Sequence, residues 1–287
     1  MGINFLIIML LQRITSNPDF TIDQYGDFAW ITLYSEKILP NSLHQKLMDN
    51  GILRAVKIHK KTSTLPTLPE IFFGEVPEKL IVEEYGIKFE IRTTSSHPGL
   101  FLDHQLTRKW LLENAKDKSL LNLFSYTASM TMTCAIGGSI RSASIDLSGP
   151  TTQWAKKNSQ LNKLGSEHQF IKGDVFDWTK RFKKKRQTFD IVICDPPSQS
   201  RSDQLHFTTQ KHLDFLHECC LDCLNKNGTL ITSINTETIS SKALLASVQN
   251  TAQKLGRKIA SHDFLQLPKG FDPSFRSMKG LRIHFSN

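Results

Sequence analysis

The sequence has no glycine-rich phosphate loop. Neither G-x-G-x-x-G after an apolar strand nor G-x-x-x-x-G-K-[ST] occurs in its 287 residues, which disfavours a ligand held by its pyrophosphate on backbone amides. Cysteine is scarce, with five in all and three of them crowded at Cys219, Cys220 and Cys223. An odd, clustered set fits reduced intracellular usage better than a secreted disulfide framework. Only one C-x-x-C occurs and no second pair follows, so no metal is expected. The apolar run FLIIMLL at residues 5–11 is far too short to cross a membrane. No basic residue precedes it and no small-residue cleavage site follows, which argues against a leader and for a helix in an N-terminal arm, residues 1–20. Repeats and low-complexity tracts are missing as well. These absences together describe a cytoplasmic globular protein.

What is present is ordinary globular composition with a lopsided charge. Apolar residues are 39% and charged residues 22%, and Lys plus Arg outnumber Asp plus Glu 36 to 27, for a net +9. Residues 1–96 are close to neutral, so the surplus lies in residues 97–287, where an anionic partner is expected. Much of it is the segment KRFKKKR at residues 180–186. It reads as a solvated loop between a helix and a strand, with contact to RNA phosphates as the alternative.

The hydrophobic pattern divides the chain. Residues 21–96 read as a small α+β domain, with strands at 29–34 and 54–59, a helix at 41–49, a Thr/Pro loop at 61–69 and a hairpin around Tyr85-Gly86. Beyond a boundary near residues 93–97, short apolar strands alternate with helices. Strands are expected at 120–124, 142–146, 168–171, 190–194 and 229–233, and helices through 130–136, 152–161 and 209–224. That alternation implies an α/β, doubly wound, mostly parallel sheet in residues 97–287. Ligands of such sheets bind beyond the carboxyl ends of the strands. Asp146, Asp174 and Asp195 stand at three successive ends, a spacing that suits ribose hydroxyls and an adenine amino group. An Asp after a strand is also an ordinary helix cap. Asp195-Pro196-Pro197 makes a stiff loop able to present acceptors to a planar base, or simply ends a strand. With no phosphate loop, S-adenosylmethionine is the expected nucleoside cofactor.

At these motifs the chain resembles the class I S-adenosylmethionine-dependent methyltransferases of bacterial 23S ribosomal RNA, both RlmK-type guanine-N7 enzymes and RlmI-like 5-methylcytosine enzymes. The resemblance rests on HPGLFLDHQLTR (97–108), LLNLFSYTAS (120–129), IDLS (145–148), WAKKN (154–158), GDVFDW (173–178) and FDIVICDPPSQSRS (189–202), in family order. It implies a Rossmann-like methyltransferase sheet preceded by a small α+β domain that presents RNA. It also implies that Phe101 and Asp103 close over the cofactor, and that Asn122, Phe124, Tyr126 and Thr127 surround its methionine moiety. By the same resemblance Asp146, with Leu147 and Ser148, holds the ribose, Asp174 and Val175 hold the adenine, and Asp195, Pro196 and Pro197 form the catalytic loop. Large-subunit ribosomal RNA is the implied partner and S-adenosylhomocysteine the implied product. Ala128-Ser129 stands where the family usually has Gly-Gly or Gly-Ser, Gln105 replaces an expected arginine, and Gln199 replaces a stacking Phe that Phe207 could supply.

One absence bears on the reaction. C5 of cytosine needs a thiolate to add to the ring first. In 5-methylcytosine relatives that thiol follows the strand reading LITSIN here, where Ser233-Ile234-Asn235 supplies none. Cys194 should point into the sheet as a small apolar residue. Methyl transfer to a base nitrogen is therefore favoured, with a 5-methylcytosine enzyme or a non-catalytic RNA-binding protein as rivals.

Overall fold

The computed structural model describes residues 11–16, 18–59, 68–201, 206–273 and 278–287. The chain folds into two compact units, Met1–Gln105 with Leu267–Phe275, and Leu106–Gln266 with Arg276–Asn287.

The first unit contains β1 (Leu11–Ser16), β2 (Phe20–Tyr25), β3 (Phe28–Leu33), α1 (Leu43–Asp49), β4 (Arg54–His59) and β5 (Glu70–Phe73), with the strands in sheet order β1-β2-β3-β4-β5. β3 and β4 are parallel, as the intervening α1 allows, and the other neighbours are antiparallel. α1 covers the sheet with Leu43 and Leu47, which pack with Ile22, Ile31 and Ala55. β6 (Lys79–Glu84) and β7 (Ile87–Arg92) form a separate hairpin. Its turn residues Tyr85 and Gly86 both have positive φ, the twist-matched geometry of a two-residue loop. The helix expected at residues 5–11 lies outside the described residues except for Leu11, which opens a strand. Most of the Thr/Pro loop lies outside them too. Within the supposed arm, Leu11–Ser16 is strand, because it pairs antiparallel with Phe20–Tyr25, and Arg13 holds Asp23 through two hydrogen bonds of 2.6 and 2.9 Å.

The second unit contains α2 (Gln105–Asn114), β8 (Ser119–Leu123), α3 (Ser129–Ile136), β9 (Arg141–Asp146), α4 (Gly149–Leu161), β10 (His168–Lys172), α5 (Val175–Lys184), β11 (Phe189–Cys194), a short hairpin of β12 (Gln199–Arg201) and β13 (His206–Thr208), α6 (Thr209–Asp222), β14 (Leu224–Ile234), α7 (Ser241–Lys254), β15 (Lys258–Phe264) and β16 (Lys279–Ser286). Seven strands form one sheet in the order β10-β9-β8-β11-β14-β16-β15, in which β16 alone runs antiparallel to both neighbours. Both faces are covered, so the central strands are buried along most of their length rather than at alternate positions. Ile191 and Ile193 pack with Leu111 of α2, Ala115 just after it, and Met130 and Cys134 of α3. Val192 and Cys194, one residue out of phase, join the side chains of α5, α6 and α7. One expectation fails. Residues 180–184 are the last turns of α5 rather than a loop, because Phe182 continues the apolar face set by Val175 and Thr179. No helix among the described residues is long and apolar enough to cross a membrane.

Candidate active site at the strand carboxyl ends

The strand order reverses between β8 and β11, and a crevice opens at such a switch point beyond the strand carboxyl ends. On one side lies the turn after β8. Phe124, Tyr126 and Ala128 all have left-handed backbone there, with φ of 55°, 49° and 62°. Three non-glycine residues in that region within five positions store strain that the surroundings must hold.

What holds it is Asp146. The Ser125 amide donates to the Ile145 carbonyl at 2.9 Å, and the Tyr126 amide to Oδ2 of Asp146 at 2.9 Å. Oδ1 accepts from the Ser148 amide at 2.9 Å and from Oγ1 of Thr151 at 3.0 Å. The Asp146 carbonyl accepts from Gly173 after β10. One residue thus joins the ends of three strands and the start of α4, and an Oδ2 lone pair remains for a ligand. Ser148 caps α4, and Leu147 beside it is partly exposed. Asn158, fully buried on α4, donates to the Thr127 carbonyl at 3.1 Å and secures the turn from behind. Sequence reasoning quoted its motif but gave it no role.

Asp174 serves as a cap. Its Oδ1 accepts from the Phe176 and Asp177 amides at 2.8 and 3.2 Å, starting α5 with Val175 buried behind it. The ordinary and the ligand readings coexist, because Oδ2 accepts no hydrogen bond from a described residue. Asn122 behaves differently. Its carboxamide is buried and donates to Thr131, which in turn meets Ser144 at 2.7 Å. That side chain joins β8 to α3 inside the unit. Phe101 and Asp103 belong to the first unit, where Phe101 sets its ring edge to face against His97.

Across the crevice, Oδ1 of Asp195 accepts from the Ser233 hydroxyl at 2.6 Å. Pro196 is buried and Pro197 exposed, and the Pro197 carbonyl accepts from Oγ1 of Thr209 at 2.9 Å. The Thr209 amide donates to the Ser198 carbonyl, so the loop is clamped to the start of α6. Ser233, next to the last residue of β14, belongs to the segment singled out for lacking a thiol, and its hydroxyl orients the loop carboxylate. That role needed the β11–β14 pairing to be seen. Phe207 cannot provide an open stacking platform. It is 1% exposed and lies among Phe124 (5.8 Å), Phe176 (5.5 Å) and His212 (5.8 Å), because the β12–β13 hairpin folds it inward.

Four of the five thiols are held protonated by their surroundings. Cys194 lies in the core, and its hydrogen bond to Cys220, together with burial, pushes the Cys220 thiol well up. Burial raises Cys134 and Cys223 and pushes Cys219 up to about 12. At neutral pH such groups carry negligible thiolate. Among the described residues no cluster of three or more His, Cys, Asp or Glu side chains is placed to hold a metal. The donor set suits a nucleoside with an amino-acid tail. Carboxylate oxygens stand at the β9 and β10 ends and a tight backbone turn at the β8 end, with no amide cradle for phosphates. S-adenosylmethionine fits these residues.

A doubly wound sheet with one antiparallel strand next to its edge, and acidic residues at successive strand ends, defines the class of nucleoside-cofactor methyltransferases. The chain belongs to the family described as S-adenosylmethionine-dependent methyltransferase, whose model matches residues 59–272. A ribosomal RNA large subunit methyltransferase K/L from Shewanella frigidimarina is 34% identical over 230 residues, 75% of this chain and 32% of that protein. The protein of the same name from Aliivibrio fischeri strain MJ11 is 36% identical over 239 residues, 76% of this chain and 33% of the relative. The chain therefore spans about a third of the length of these curated relatives. A solved structure from Streptococcus mutans, described as a SAM-dependent methyltransferase, superposes with a TM-score of 0.82 at 26% identity, covering 96% of this chain and 74% of the other.

Proposed function

We propose that this chain transfers a methyl group from S-adenosylmethionine to a base of large-subunit ribosomal RNA in the cytoplasm, at a ring nitrogen such as guanine N7. The observation that carries the reading is the pair Asp195–Ser233 facing the switch point, with no thiol beside it. The names of the curated relatives support the RNA substrate.

In this reading the Asp146 carboxylate accepts from ribose hydroxyl and the free Oδ2 of Asp174 from the adenine amino group, beside Val175. The strained turn Phe124–Thr127 shapes the methionine end. Bound S-adenosylmethionine supplies an electrophilic methyl on a sulfonium centre. Guanine N7 carries a lone pair and no proton, so the protein has no proton to remove. Its work is alignment, which can account for several kcal/mol of barrier. Asp195, fixed by Ser233, and the carbonyls of the stiff Pro196-Pro197 loop accept hydrogen bonds from the base edge and hold N7 in line.

The test is to incubate the chain with S-adenosylmethionine and protein-free large-subunit ribosomal RNA, then to identify the modified nucleoside by mass after digestion. 7-Methylguanosine is expected. 5-Methylcytidine would overturn the nitrogen assignment, and RNA binding with no methylated product would make the chain a non-catalytic binder.

A further inference from the structure

The amino-terminal edge of the sheet, opposite the site, gathers cations most of which neither the fold nor the methyl transfer uses. The last two turns of α5 and the residues after it read KRFKKKR, and all six cations are exposed while Phe182 is buried. Cations in a last turn complement the helix dipole, but that effect is satisfied by one or two of them. Lys183 pairs with Asp222 at 2.8 Å, and Arg181 lies 5.0 Å from the Trp178 ring. Lys180, Lys184, Lys185 and Arg186 have no acidic partner among the described residues.

Backbone geometry adds a second observation. The Gln187 amide donates to the Phe182 carbonyl and the Arg186 amide to the Lys183 carbonyl, a helix stop that favours glycine at its left-handed position. Arg186 occupies that position with φ 52°. A cation stands there at a backbone cost of about 1 kcal/mol, with no hydrogen bond or ion pair of its side chain among the described residues to offset it.

Topology extends the patch. In a parallel sheet all strands start at one edge, so the exposed Lys116 and Lys118 before β8, Lys163 before β10 and Lys226 at the start of β14 share it with α5. The carboxylate of Asp190 there is turned inward. It accepts from the Ser119 amide and hydroxyl and from Asn225, and these hydrogen bonds hold its pKa below the usual carboxylate range despite partial burial. Asp222 is likewise taken by Lys183. Asp117 and Glu167 are exposed at the same edge, so the patch is basic by excess of lysine and arginine rather than free of carboxylates.

We infer that this edge, with Lys180, Lys184, Lys185 and Arg186 at its centre, is a second RNA-binding surface that takes the phosphate backbone without reading sequence. α5 is about 15 Å long at 1.5 Å per residue, so the patch lies roughly that far from the carboxyl-end crevice. RNA contacting both must pass along the flank of the domain or come from a second strand. The inference rests on the ribosomal RNA reading for the identity of the polyanion.

The experiment compares the full chain with the triple variant K180Q/K184Q/K185Q, which keeps helix propensity and the Lys183–Asp222 pair, and with the K180R/K184R/K185R control. Affinity for a large-subunit ribosomal RNA fragment is measured across a salt series, and S-adenosylmethionine affinity by calorimetry. The glutamine triple is expected to flatten the log–log salt slope by about 2, near 0.7 to 0.9 per lost phosphate contact. The arginine triple should keep the slope, and cofactor affinity should be the same in all three. An unchanged slope in the glutamine triple overturns the inference and assigns the cations to solubility. Failure of the wild type to bind ribosomal RNA overturns the reading of function. If that same protein then binds anionic phospholipid vesicles through these lysines, the surface is a membrane contact and the RNA inference falls with it.

Discussion

At the scale of single residues, the two acidic groups nearest the proposed nucleoside differ in how much structure they carry. Asp146 accepts three protein hydrogen bonds, so replacing it would damage the β8 turn and α4 along with any ligand site. Asp174 separates the two functions, since Oδ1 caps α5 while Oδ2 is open. Serine caps a helix nearly as well as aspartate but offers no charge and no second oxygen. Asp174→Ser should therefore keep its thermal midpoint within a few degrees and weaken S-adenosylmethionine by about tenfold or more, the worth of one charge-assisted hydrogen bond. Calorimetry beside a thermal melt checks both parts. Ser233 acts through Asp195. Ser233→Ala should lower kcat about tenfold through the loss of one such bond, with cofactor affinity unchanged and activity recovered in Ser233→Thr. A fall in cofactor affinity equal to the fall in kcat would place Ser233 in general folding instead. Sequence alone singled out Ser233 only for not being cysteine, since its partner is 38 residues away and the two meet only through strand pairing.

At the scale of elements, α5 shows where periodicity suffices and where it misleads. A cluster of like charges reads as a loop, yet Val175, Thr179 and Phe182 hold a helical spacing through it and the helix follows the apolar face. The terminal strain is removable. Arg186→Gly should stabilise the protein by up to about 1 kcal/mol, because glycine adopts positive φ without the side-chain penalty, partly offset by its freer unfolded chain. Urea unfolding at neutral pH measures this, and a loss of stability would mean that the arginine makes a contact the fold needs. Elements at the edges were less legible. β15 is exposed at nearly every position, so its sequence KIASHDF shows no alternation. β1 follows an apolar run that outweighs the weaker strand signal of LQRITS. The central strands of the second unit were legible to within a residue or two at most ends, because burial on both faces demands continuous apolar runs bounded by polar turns. β14 is the exception and begins five residues earlier than expected.

At the scale of the whole molecule, one buried network ties α6, α7 and β14 together and sets a pH limit. His217 is fully buried. Its Nδ1 meets Oγ of Ser247 at 2.8 Å, Nε2 meets Oγ1 of Thr232 at 3.1 Å, and Ser247 bonds Asp214 in turn. Burial lowers the imidazole pKa to about 4, so the folded state keeps it neutral where the unfolded chain would bind a proton. A group depressed on folding contributes fully above its unfolded pKa, near 6.5, and loses that contribution as pH falls towards 4. Stability should therefore decline between pH 6.5 and 4 by up to roughly 3 kcal/mol from this residue. His168 and His284 are lowered by burial as well and add to the slope in the same direction. Denaturant unfolding at several pH values checks it, and His217→Gln should flatten the curve in part.

The sequence by itself determined the parts of this protein that depend on neighbours along the chain. Alternating apolar strands and helices predicted the doubly wound sheet, polar groups after each strand located Asp146, Asp174 and Asp195, and the missing glycine loop disfavoured a pyrophosphate ligand. Tertiary structure decided what depends on residues distant in sequence. It turned Asn122 inward to Thr131 and folded Phe207 among other rings. It set Ser233 on Asp195, and it brought Leu267–Phe275 back to the first unit, where Phe271 lies under the guanidinium of Arg13 at 4.0 Å. The physical reason is that periodicity reports which face of an element is buried. The direction of a polar side chain at a strand end is set by whichever partner the sheet order carries to it.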